Sequence, residues 1–140
     1  MTRQWHPREY QDGDEQAILE LHRQVFPDAE VSKEWWAWQY QQNPAGQMVI
    51  GVAESSQGIV GYYALMSIRM RVTNRISVEN YSLEAMIHPD YRGQGIFTML
   101  GKEIYKLTVR RGTNFLYGFT NANSHPAVVT KLGWKDLYDG

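Results

Sequence analysis

The chain has 140 residues, 43% hydrophobic and 21% charged, with a net charge of −1; one domain is expected over 1–140, large enough to bury about two-thirds of the surface exposed when unfolded. That balance gives no electrostatic footprint for nucleic acid, and the absence of cysteine excludes disulfides, thiolate metal sites and a cysteine nucleophile. No apolar run approaches the ~20 residues of a membrane span, and the first six residues are polar and lack a secretion signal, so cytoplasmic residence without a membrane partner is the expectation.

Residues 3–10 read as a first strand. Asp12-Gly13-Asp14-Glu15 then resembles a capped helix start, with Ile18, Leu21, His22 and Val25 on one stripe that ends at Pro27. Ser32 caps a second helix, which carries Trp35, Trp36, Trp38 and Tyr40 and ends at Asn43-Pro44-Ala45-Gly46. Three extended segments follow at 48–54, 59–72 and 76–87. The links Ser55 to Gly58 and Thr73 to Arg75 are short enough for antiparallel hairpins. A long helix from Ile96 buries Leu100, Ile104 and Leu107 on one face, and an apolar strand spans 115–119. Ser124 or Asn123 then caps a short helix through Val129, closed by Gly133.

The segment from Glu84 to Thr98 carries the chemistry. An apolar strand stops at Pro89, a turn rich in arginine and glycine follows, and the long helix opens. Gly93 and Gly95 let the backbone approach a ligand, and the first amides of the helix have no intrahelical acceptor. A dipole contribution of about 0.3–1 kcal/mol would not hold a diphosphate, whereas several charge-assisted hydrogen bonds of about 1.5–3 kcal/mol each would. Arg92 adds charge. A dinucleotide fingerprint would need glycine where Thr98 stands, and no Gly-Lys-Ser or Gly-Lys-Thr ends a glycine-rich run.

At these residues the chain resembles the GNAT superfamily of acetyl-CoA-dependent N-acetyltransferases. The signature is Arg or Gln, two residues, Gly, one residue, then Gly or Ala; Arg92-Gly93-Gln94-Gly95-Ile96-Phe97 matches it except at Phe97. Ile87-His88-Pro89-Asp90-Tyr91, Asn121-Ala122-Asn123-Ser124 and Lys131-Leu132-Gly133-Trp134 follow in the family's order. The resemblance implies an α+β fold with a mixed, mostly antiparallel twisted sheet flanked by helices, in the order β-α-α-β-β-β-α-β-α. The family adds two closing strands, but only one short strand fits in Trp134 to Tyr138. A fragment of a longer protein, a shortened member, or a sheet completed by a second copy are the three expectations.

The resemblance further implies that backbone groups of Met86, Ile87 and His88 hold pantetheine and the thioester carbonyl, and that amides of Arg92, Gly93, Gln94, Gly95, Ile96 and Phe97 take the diphosphate. Asn121 and Asn123 are further partners for pantetheine, with a turn or helix cap as the alternative for Asn123. The fourth strand offers Glu84 and Glu79 as catalytic base. Their odd separation puts them on opposite faces of a regular strand, which a bulge would alter, and Glu84 is preferred as nearer the thioester.

The tyrosine that many members use as general acid falls at Val129; Tyr138, Tyr117 or water are the substitutes. His6, His22, His88 and His125 lack metal-ligand spacing, so no metal is proposed. Two of the three tryptophans are expected in the core and the third on the wall of the acceptor pocket. Arg69, Arg71 and Arg75 read as a solvated face, with contact to the adenosine 3′-phosphate as the alternative. The expected function is transfer of acetyl from acetyl-CoA to an amine on a small molecule or peptide by direct attack in a ternary complex. The alternatives are a non-catalytic acyl-CoA-binding or assembly module and transfer of a different acyl group.

Overall fold

The computed structural model describes residues 4–120 and 124–137. Among these the elements are β1 (His6–Glu9), α1 (Glu15–Val25), α2 (Lys33–Tyr40), β2 (Val49–Ser55), β3 (Gly58–Val72), β4 (Arg75–Ile87), a 3₁₀ turn (Pro89–Tyr91), α3 (Ile96–Arg110), β5 (Leu116–Gly118) and α4 (His125–Lys131). The five strands form one sheet in chain order, antiparallel except where β5 joins β4 in parallel. This is the α+β architecture and element order expected from the sequence. The short strand expected near the end is not formed by the described residues 134–137. No helix among the described residues is long and apolar enough to cross a membrane.

The period-2 pattern of β2 and β3 sends side chains alternately to two cores. Ile50, Val52, Tyr62, Ala64 and Met86 face α1 and α2, where Ile18, Leu21, Trp36 and Tyr40 close one core. Val49, Ala53, Tyr63 and Leu65 face α3 and pack against Ile96, Leu100 and Ile104. Burying each of those α3 side chains contributes about 1.5–3 kcal/mol, enough to fix the helix and its N-terminus on the sheet.

Two glycines permit that approach. A Cβ at Gly61 would lie 2.6 Å from Ile96 Cγ2, and one at Gly51 would lie 2.7 Å from Ile104 Cγ2. The helix therefore sits directly on the sheet backbone.

At the other end Ser32 accepts the Trp35 amide and starts α2 as expected. Asp14 does not cap α1 through its side chain. Its carboxylate instead accepts both terminal nitrogens of Arg8, at 2.8 and 3.0 Å, and the Gln11 amide at 2.8 Å, tying β1 to the turn before α1.

Candidate active site

The loop between the 3₁₀ turn and α3 has the geometry its glycines imply. Gly93 and Gly95 adopt φ of +77° and +80°, and a Cβ on either would meet nothing within 4 Å. The turn faces open space. The Arg92 amide donates to the Pro89 carbonyl at 3.4 Å, so the expected donor at Arg92 is engaged within the protein. The amides of Gly93, Gln94, Gly95, Ile96, Phe97 and Thr98 have no acceptor among the described residues, and the first bond of the helix is from the Met99 amide to the Gly95 carbonyl. The Arg92 side chain is exposed and meets no acid there, while Gln94 turns its side-chain oxygen into a buried spot without a donor. Phe97, where the family signature has a small residue, stacks on Tyr63 with ring centroids 5.2 Å apart.

Below this loop lies a free strand edge. β4 pairs with β5 only from Asn80 to Ser82, and among the described residues nothing pairs with that edge from Leu83 to Ile87. Alternation decides which main-chain groups face the gap. The His88 amide donates to the Val60 carbonyl at 2.8 Å, so the groups of His88 and Met86 point to β3, and those of Ile87 and Ala85 point the other way. Of the expected trio only Ile87 presents its backbone to the gap. Ala85 joins it, a residue the sequence reading missed. The His88 ring is also engaged, accepting the Asp90 amide at its Nδ1 at 3.1 Å.

A bulge settles the two glutamates. The register pairs Ala64 with Glu84 but Leu65 with Ser82, so Leu83 is an extra residue on β4. Glu79 and Glu84 then pair with Ile68 and Ala64, an even step apart on β3, and share a face rather than opposing each other.

Their environments differ. Glu79 is fully buried, and its carboxylate accepts the Asn114 amide at 2.9 Å, the Asn114 side chain at 2.8 Å and the Phe115 amide at 3.0 Å. Burial alone would raise its pKa, but the Phe115 and Asn114 donors outweigh that and hold it below the ordinary value. It locks the chain leaving α3 to the sheet, and three of the about four acceptor positions of the carboxylate are taken. Glu84 has one close ionic neighbour, His22 of α1, whose Nε2 lies 3.4 Å from Oε1. Burial raises its pKa, and the charge of His22 and the nearby Tyr40 hydroxyl offset that only in part. The Tyr40 hydroxyl is buried and completes no hydrogen bond of its own, so its contribution is the weaker one.

Glu84 forms the floor of a groove of about 240 Å³ with His22, Val31, Trp35, Gln39 and Leu83. A larger hollow of about 780 Å³ beside the α1–α2 connection shares Val31 and Trp35 with it. Only one of the three tryptophans is in the core: Trp36 is 2% exposed, whereas Trp35 is 48% and Trp38 66% exposed. The expectation of two buried rings fails because α2 has only 8 residues and presents one narrow face to the sheet. Trp35 takes the wall position.

Arg69, Arg71 and Arg75 are exposed on the hairpin of β3 and β4, as a solvated face requires. Asn121, Asn123 and Tyr138 lie outside the described residues. Val129 sits half-buried in α4, and the Tyr117 ring packs against Tyr81 at 5.2 Å. On the α3 face three hydroxyls and an indole unmarked by sequence spacing form a chain: Trp134 Nε1 donates to Tyr105 Oη at 2.8 Å, Tyr105 meets Tyr63 at 2.9 Å, and Tyr63 meets Ser82 Oγ at 2.7 Å.

A free sheet edge beside a loop of amides without acceptors, with a carboxylate at the bulge between them, is an arrangement that can hold an extended anionic ligand next to a carboxylate. The family model described as acetyltransferase (GNAT) domain matches residues 6–136, and the chain belongs to that family. No curated protein matches it by sequence. Among solved structures it is similar to a Trypanosoma brucei acetyltransferase at 20% identity and TM-score 0.76, covering 98% of this chain and 96% of that one. It is also similar to glucosamine-6-phosphate N-acetyltransferase from Arabidopsis thaliana at 13% identity and TM-score 0.76, with 99% and 96% covered. A predicted acetyltransferase from Clostridium acetobutylicum, solved with acetyl-CoA, aligns at 17% identity and TM-score 0.75, with 95% and 91% covered.

Proposed function

We propose that this chain transfers acetyl from acetyl-CoA to the amine of a small-molecule acceptor by direct attack in a ternary complex, with Glu84 as the base. The observation that carries the reading is the alignment of two sets of unspent backbone groups. The amides from Gly93 to Thr98 have no acceptor among the described residues, in a turn open at Gly93 and Gly95, and they lie at the end of β4, whose outer edge is itself unpaired from Leu83 to Ile87 among those residues. The first set suits a diphosphate, with the Arg92 side chain adding charge. The second suits an extended amide-bearing arm, which Ala85 and Ile87 would pair as a strand pairs its neighbour.

Acetyl-CoA, when bound, supplies an acyl group activated for attack by a neutral amine. The protein orients the two substrates, excludes water and removes one proton. Glu84 lines the groove with Trp35, so an amine held there meets a carboxylate that burial makes a stronger base than an exposed one. Glu79 has a structural role in this reading, since three N–H groups already use its carboxylate. The small groove favours a compact polar amine over a folded protein surface.

Isothermal titration of the full chain with acetyl-CoA, followed by thiol release across an amine panel, tests the proposal. Saturable binding with acceptor-dependent thiol release is expected. Binding without turnover would instead favour an acyl-CoA-binding module, and no binding would end both readings.

A further inference from the structure

The chain Trp134, Tyr105, Tyr63, Ser82 starts from a fixed donor. An indole N–H can only donate, so the Tyr105 oxygen accepts from Trp134. Tyr105 and Tyr63 lie 2.9 Å apart, Tyr63 and Ser82 2.7 Å apart, and in each pair either oxygen can donate; the head-to-tail order runs from Tyr105 to Tyr63 to Ser82. Hydrogen bonds aligned head to tail polarise one another, which favours this order. One proton is left over. It sits on Ser82 Oγ, for which the described residues offer no acceptor outside the chain itself.

The place of that proton matters. Ser82 is the last β4 residue paired with β5, opposite Gly118, so it stands where the free edge of β4 begins. It pairs with Leu65 on the α3 face, whereas Glu84, one bulge away, lies on the face of α1 and α2. An arm running from the glycine loop along Ile87 and Ala85 ends at this fork, with Glu84 on one side and Ser82 on the other. Phe97 stacks on the Tyr63 ring and holds the middle of the chain in place.

We infer that the Ser82 hydroxyl donates a hydrogen bond to the sulfur leaving acetyl-CoA, with Tyr63, Tyr105 and Trp134 as positioning residues that aim it; this rests on the proposed acetyl transfer. The new C–N bond forms as the C–S bond breaks, the electron pair of that bond goes to sulfur, and the amine proton goes to Glu84. Ser82 keeps its proton and shares it, and the released thiolate is protonated by solvent. A donor aimed at developing charge lowers the barrier without itself titrating. It also stands in for the tyrosine whose position Val129 occupies.

The test uses bound CoA and needs no acceptor. The ultraviolet absorbance of the thiolate is titrated with CoA bound to the full chain, to Ser82→Ala and to Tyr105→Phe, with affinity measured by isothermal titration. The bound thiol should titrate about one unit higher in Ser82→Ala than in the wild type, and by a smaller amount in the same direction in Tyr105→Phe, with CoA affinity retained. Retained affinity with the same thiol pKa in wild type and Ser82→Ala overturns the inference alone. Failure of the wild type to bind CoA overturns it together with the acetyl-transfer reading. Should Ser82→Ala not fold, Tyr63→Phe removes the donor that orients Ser82, and an unshifted thiol pKa in that variant is equally decisive.

Discussion

Ser82 and Glu84 stand two residues apart on β4 and face opposite sides of the sheet, because Leu83 is an extra residue against β3. In a regular strand they would share a face. The bulge thus places a carboxylate above and a hydroxyl below the point where β4 loses its partner.

Replacing Glu84 by Gln keeps the shape and removes the base. The rate of thiol release should fall about 10²–10⁴-fold with little change in acetyl-CoA affinity, and the acid limb of the pH–rate profile should disappear. An unchanged rate eliminates Glu84 as the base.

The same variant has a stability consequence. The folded pKa of Glu84 lies above its ordinary value of 4.5, so the folded state binds more protons across that window, and stability falls as pH rises through it. Glu84→Gln should therefore melt no lower than the wild type at neutral pH, and the difference should vanish below the unfolded pKa. Thermal melts across the acid range check the sign.

Glu79 should behave in the opposite way. Its folded pKa is lowered, so its stabilisation is present above the unfolded value and is lost as pH falls through the folded one. Glu79→Ala strands the Asn114 and Phe115 amides and should cost about 1–3 kcal/mol in denaturant unfolding. Lost activity with an unaltered unfolding midpoint would return Glu79 to the catalytic role.

The glycine loop separates strain from binding. Ala at Gly93 or Gly95 meets no neighbour but must hold a positive φ, which costs about 1–2 kcal/mol of stability. The added methyl would also stand where the diphosphate is proposed to sit. Acetyl-CoA affinity should drop at least ~10-fold by calorimetry, a loss of about 1.4 kcal/mol or more.

Gly61→Ala tests the seat of α3. Its Cβ would lie 2.6 Å from a methyl of the β-branched Ile96, which has little room to turn. A loss of about 1–3 kcal/mol in unfolding free energy is expected, with weakened acetyl-CoA binding as the N-terminus of α3 shifts.

Much of this molecule is written locally. Caps, breakers and apolar spacing specify the order of elements. Gly93 and Gly95 allow the open turn because a residue without a Cβ takes positive φ at little steric cost. What the chain order could not convey was which groups are already engaged. Glu79 and Glu84 look alike in sequence, and only contacts with Asn114 and Phe115, 35 and 36 residues away, occupy the first and leave the second open. The choice of Ala85 over Met86 and His88 depends on the register of β4 against β3, and the hydroxyl chain joins β3, β4, α3 and the segment after α4, which no periodicity links. Sequence by itself determined the scaffold and the open glycine turn, since these follow from torsions and spacing within a few residues. Tertiary structure alone decided which glutamate is already engaged and which hydroxyls meet, since hydrogen-bond capacity is finite and is allotted between residues distant along the chain.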